Sequence, residues 1–191
     1  MPIDFPFQIR LHCFYHLYPI RHGASGATFA GGQDSTDPNQ EVTRLTADLL
    51  SIEEVLSTSL TENKTRYIFE GVSHLVSRLL IESAANIRKI NKNGVKKMCR
   101  NIFTIQHTLT SNITGARESS LDSAKTYYEL LTLRPQDVLN AIVEKGPLYG
   151  REEYARAVEL LHRSDPNSNS TILNKHLEKL EDIMKVAGVA V

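Results

Sequence analysis

An all-α fold, arranged as an antiparallel helical bundle or as stacked helix pairs forming the end of a helical rod, follows from three observations on this 191-residue sequence. Apolar residues recur in alternating steps of three and four along most of the chain, which places them on one face of successive helices. Gly, Pro and polar clusters punctuate these stripes at helix-length intervals. No run alternates apolar and polar residues with the period of two that a half-buried strand requires.

Taken in order, residues 1–20 read as an N-terminal helix centred on the segment from Phe7 to Tyr18 and ended by Pro19, although its aromatic content leaves a strand open. Residues 21–36 carry Gly23, Gly26, Gly31 and Gly32 among small residues and are expected to form a flexible loop. The bundle proper is expected over 37–187. Its first helix has Val42, Leu45, Leu49, Ile52 and Leu56 on one stripe, with Asp37 as the capping residue, Pro38 in the first turn and Gln40 at the capping-box position. A second stripe, Ile68, Val72, Leu75 and Leu79, extends through Ala84, Ile87 and Ile90 to a stop at Asn93-Gly94. Val95, Met98, Ile102, Ile105 and Leu109 make the third.

Leu121, Ala124, Tyr128 and Leu131 follow, and Pro135 both ends that helix and opens the next, with Val138, Leu139, Ile142 and Val143 on its face. Gly146-Pro147 closes it. Tyr154, Val158 and Leu161 mark another helix, residues 164–170 a polar loop, and Leu173, Leu177, Leu180 and Met184 the last stripe, before a tail at 188–191. No internal repeat at a fixed period is present, which argues against a repeat solenoid.

Composition narrows the function classes. With 41% hydrophobic and 23% charged residues the chain is neither collagen-like, disordered throughout, nor a disulfide scaffold. Cys13 and Cys99 give no disulfide framework and fit a reducing compartment. The apolar stretch 9–20 is broken by Arg10, His12 and His16 and is too short for a bilayer core of about 30 Å. Met1 leads into Pro2 and Asp4 rather than a basic and then apolar leader, so a soluble intracellular protein is expected.

The candidates for chemistry are sparse. His12 and His16 put two imidazoles on one helical face as zinc ligation requires, but Cys13 stands where a metalloprotease motif has Glu, and no third ligand is evident. Packed histidines account for the pair better, and neither a metal nor a cofactor is expected. Glu70 and His74 lie four apart and could pair as base and orienter, yet no nucleophile accompanies them; a helix-surface hydrogen bond suffices. The glycines of 21–36 fit no phosphate-binding motif. No catalytic residue and no small-molecule substrate are expected.

Charge is more informative in its distribution than in its total. Lys plus Arg and Asp plus Glu both number 22, yet no acidic residue falls between Ser83 and Arg117. Arg88, Lys89, Lys92, Lys96, Lys97 and Arg100 cluster there, the first of them expected to complement the negative C-terminal end of the helix that stops at Gly94. They are the candidate contacts for an acidic protein face or for anionic lipid headgroups, and a solvated helix junction explains the same run without a partner. Nucleic acid is disfavoured because no aromatic residues interleave with the bases. Val189 and Val191 form a weak C-terminal peptide motif of the kind that adds a strand to a PDZ-type edge.

At Gly94-Val-Lys-Lys-Met-Cys-Arg-Asn-Ile-Phe-Thr-Ile-Gln-His-Thr-Leu-Thr110 the sequence resembles the C-terminal region of the exocyst complex component 4 family. Further similar blocks lie at His12-Cys-Phe-Tyr-His-Leu-Tyr-Pro-Ile20, at Tyr67-Ile-Phe-Glu-Gly-Val-Ser-His-Leu-Val76, around Tyr127-Tyr128, and from Glu153 to Ser164. The resemblance implies a non-enzymatic scaffold subunit of the complex that tethers secretory vesicles to the plasma membrane in exocytosis, in a family whose long N-terminal portions contain coiled coil. Implied partners are the other exocyst subunits, with vesicle and plasma membrane engaged indirectly, and the implied location is cytoplasmic, peripheral at plasma-membrane sites of exocytosis. Val189 departs from the Ser/Thr-x-Val ending of some members. Two alternatives from other classes are a stand-alone peripheral module that binds anionic lipid and a metal-dependent hydrolase built on His12 and His16.

Overall fold

The computed structural model describes residues 5–22, 28–29, 37–115 and 120–188. Among these residues nine α-helices run in order: α1 Phe5–His22, α2 Gln40–Ser59, α3 Glu62–Phe69, α4 Val72–Ser83, α5 Lys92–Thr108, α6 Ser120–Leu130, α7 Pro135–Lys145, α8 Arg151–Ser164 and α9 Ser170–Val186. The all-α expectation holds, with helix pairs packed on one another. Two strands of two residues each, β1 Thr28–Phe29 and β2 Lys89–Ile90, pair in parallel with Thr28 opposite Lys89. Such short strands carry no periodicity for a sequence reading to detect.

Most stripes are buried as their spacing requires. Val42, Leu45, Leu49 and Leu56 of α2, the α5 positions Val95, Met98, Ile102 and Ile105, and Leu121, Ala124 and Tyr128 of α6 all enter one core together with α1 and α4. A second core forms from Val138, Leu139 and Ile142 of α7, Tyr154 of α8, and Leu180 and Met184 of α9. Val143, expected on the buried face of α7, is instead 66% exposed, because the stripe at 138, 139 and 142 already faces α9.

Four local expectations are corrected. Pro19 does not end α1, which continues to His22; Ile20, one residue past the proline, is buried in the core, and that packing holds the last turn despite the missing N–H. Asp37 is not the cap of α2. Asn39 occupies that position without a side-chain capping bond, and its backbone N–H instead donates to Asn101 Oδ1 at 2.9 Å, tying the start of α2 to α5.

The long helix expected from Ile68 to Gly94 is broken twice. Gly71, at φ +78°, takes a left-handed conformation that glycine adopts without steric cost and separates α3 from α4. A 3-10 turn at Ala84–Asn86 and β2 then interrupt the chain before α5. Asn93-Gly94 therefore lies in the first turn of α5 and starts a helix rather than ending one: the Asn91 side chain accepts a hydrogen bond from the Gly94 N–H at 2.9 Å. The loop at 21–36 lies outside the described residues apart from 21–22 and β1, as does the tail beyond Gly188.

Candidate functional site

Because Asn93-Gly94 opens a helix, the basic cluster sits at the positive end of a helix dipole and not, as the sequence reading had it, at a negative one. Lys92 is the first residue of α5, whose opening turn holds no acidic side chain, and β2 delivers Lys89 just before it, with Arg88 adjacent. Arg88, Lys89, Lys92 and Lys96 are exposed, while Lys97 and Arg100, further along the helix, are half-buried. Lys96 and Arg100 also make interactions within the chain. Among the described residues, Arg88, Lys89, Lys92 and Lys97 form no ion pair.

A cation in the first turn of a helix opposes the dipole by about 0.3–1 kcal/mol. The arrangement gathers positive charge at the head of α5. An anionic partner would relieve that repulsion; solvent would only screen it.

Sequence similarity decides the family. No protein-family model matches the chain. Human exocyst complex component 4 is 42% identical over 178 residues, 93% of this chain. The Drosophila melanogaster protein of the same name is 36% identical over 177 residues, and Arabidopsis thaliana exocyst complex component SEC8 is 25% identical over 156 residues, 80% of this chain. The chain belongs to the exocyst complex component 4 family. It spans 18% of the length of the human and fly relatives.

In this member of the exocyst complex component 4 family the remaining sequence candidates fall into place as follows. His12 and His16 do face the same way, and the structure supplies the third group that the sequence reading lacked: Asp48 Oδ2, from α2, lies 2.9 Å from His12 Nδ1 and 2.7 Å from His16 Nε2. Burial raises the Asp48 carboxyl, but the hydrogen bonds from His16 and His12 outweigh it and hold the group below its ordinary value. Asp48 was missed because it flanks the Leu45/Leu49 stripe like any surface acid; its meaning depends on which helix packs beside α2. Glu70 and His74 are both exposed and belong to different sides of the Gly71 break, Glu70 capping α3 and His74 within α4. Val189 and Val191 lie outside the described residues.

A second histidine pair, invisible to sequence spacing, closes the α8–α9 hairpin. His162 Nε2 and His176 Nδ1 are 2.8 Å apart, and His162 Nδ1 bonds Ser168 Oγ. Among the described residues no carboxylate is hydrogen-bonded to either imidazole, and Asp165 acts on His162 only through its charge. Burial first, and then the facing His176, hold His162 below the usual imidazole range against the opposing pull of Asp165, while burial and then Lys179 lower His176.

Imidazoles depressed in the folded state take up more protons when unfolded, so the stability they support is complete at neutral pH and is lost as pH falls below about 6.5. The melting midpoint should therefore drop between pH 7.5 and pH 5.5, and His176→Gln should flatten that dependence. A midpoint equally pH-dependent in the variant would refute the assignment. Asp48, lowered below its ordinary value, keeps its contribution throughout this window.

Proposed function

We propose that this chain is a non-enzymatic helical part of an exocyst subunit, serving the complex that tethers secretory vesicles to the plasma membrane in exocytosis. The observation that carries the reading is its 42% identity, over 93% of its length, to human exocyst complex component 4. The structure supports it in kind. Two hydrophobic cores joined through α8 hold the helices in fixed relation, which a scaffold requires. Among the described residues no helix is long and apolar enough to cross a membrane, so contact with the bilayer is peripheral in this reading.

The partners are the other exocyst subunits, engaged in the cytoplasm at plasma-membrane sites of exocytosis, and the surface of Arg88, Lys89, Lys92, Lys96, Lys97 and Arg100 is the proposed contact with an acidic subunit face or anionic lipid. Affinity capture of the tagged full-length gene product tests the assignment. Recovery of the remaining exocyst subunits in stoichiometric amounts is the expected result; a capture containing none of them at physiological salt would overturn it.

A further inference from the structure

We propose that His12, His16 and Asp48 bind one divalent transition-metal ion of the zinc class, which pins α1 to α2. The inference is independent of the exocyst reading. His12 and His16 stand one turn apart on α1 and so share a face, and Asp48 meets both from α2. The three ligand atoms lie within 4.8 Å of one another.

Tetrahedral bonds of about 2.0–2.2 Å require ligand atoms roughly 3.3 Å apart. The present separations of 2.9 and 2.7 Å from Asp48 Oδ2 therefore need to open by only about half an ångström. The side chains have the freedom to do so: His12 and Asp48 are 40% and 39% exposed, while His16, at 11%, is the fixed member.

The chemistry of the donors selects the ion. Two imidazole nitrogens and one carboxylate oxygen suit zinc, cobalt or nickel, whereas calcium and magnesium demand oxygen ligands throughout. In the ion-free state the imidazole nitrogens facing the carboxylate act as N–H donors. On binding, each neutral imidazole shifts its proton to its other ring nitrogen, freeing the lone pair that faces Asp48, and two hydrogen bonds to one oxygen become three bonds to a common centre.

Cys13, next to His12 in sequence, is not a fourth ligand. It points into the core at 0% exposure, among the apolar side chains there and away from the exposed carboxylate of Asp48. Solvent reaches the half-exposed His12 and Asp48 and completes the coordination. Since the ligands come from two helices, an ion that binds only the folded chain must raise its melting midpoint.

Titration of the chelator-treated full chain with Zn²⁺ and with Co²⁺ at pH 7.5 tests the site. Expected are one ion per chain, a raised melting midpoint, and visible Co²⁺ bands of a four- or five-coordinate nitrogen and oxygen site, with no response to Ca²⁺ or Mg²⁺. His16→Gln and Asp48→Asn should each weaken binding more than about tenfold, since even outer-shell partners alter metal affinity by that much. The double substitution of His162 and His176 to Gln should leave it unchanged. Binding that survives Asp48→Asn, that vanishes with the His162 and His176 pair, or a Co²⁺ spectrum showing only the hydrated ion would each overturn the proposal. The spectrum reads the unsubstituted chain, so it decides even where a variant fails to fold.

Discussion

Replacing Tyr127 with alanine is expected to destabilise the chain by about 3–5 kcal/mol, the cost of deleting a large buried aromatic ring whose cavity the surroundings only partly fill. Tyr127 is wholly buried in the larger core, and its hydroxyl donates to the Glu153 carbonyl at 2.9 Å, joining α6 to α8. Its ring meets Tyr128 edge-on at 5.9 Å and Tyr149 at 5.3 Å, and Tyr149 in turn meets Tyr154 at 5.5 Å. Tyr127 and Tyr128 belong to the first core and Tyr154 to the second, so this aromatic series joins them alongside α8, whose Leu161 packs on both.

The loss should therefore fall on the coupling of the two cores as well as on α6 itself. Tyr127→Phe keeps the ring and removes only the bond to Glu153, at a cost of about 0.5–1.5 kcal/mol. Urea unfolding followed by both fluorescence and circular dichroism checks this. Tyr127→Ala should be several-fold more damaging than Tyr127→Phe and should make the unfolding curves from the two probes no longer coincide. Equal effects of the two substitutions would mean that the ring does not join the cores.

The same residues show what sequence periodicity reaches and where it stops. The α5 stripe at Val95, Met98, Ile102 and Ile105 was legible because burial on one side of a helix imposes its own spacing. The aromatic series was not, since Tyr127 stands next to Tyr128 and its partners at 149 and 154 lie in another element. Breaks were misread for a related reason. Gly71 sits inside an apolar pattern that continues across it in register, whereas Asn93-Gly94 carries a turn signature that serves equally to end a helix or to start one. Pro19 was overridden by the burial of Ile20, a tertiary effect. His12 and His16 could be placed on one face from spacing alone, but Asp48 required knowing that α2 packs against α1. A site assembled from one helix is legible; a site assembled from two awaits the fold.

The reversed reading of Asn93-Gly94 also sharpens the second large effect, because it separates binding from folding. Each basic residue close to an anionic surface contributes about 1 kcal/mol. Changing Arg88, Lys89 and Lys92 to Glu should remove about 3 kcal/mol and add repulsion, a loss of more than about 100-fold in affinity. The three are exposed and, among the described residues, form no ion pair, so no folded-state contact seen here is broken. A carboxylate at position 92 instead gains from the dipole of α5, and helicity should be kept or slightly raised.

Lys96, Lys97 and Arg100 lie beyond the reach of the dipole, and two of them make other interactions, so their reversal should weaken binding at a modest cost in stability. Comparing the two triple variants thus distinguishes a partner surface from a structural one. Flotation with phosphatidylserine vesicles and recovery of exocyst subunits are the two readouts, both at physiological salt, and the one that fails in the first variant identifies the partner. Added salt should weaken the same interaction in the unsubstituted chain, since exposed charges are screened over about 8 Å at 0.15 M and less at higher concentration. If vesicle binding and subunit recovery both survive the reversal of Arg88, Lys89 and Lys92, the cluster is a solvated helix start, and the repulsion at the head of α5 is carried by the fold without return.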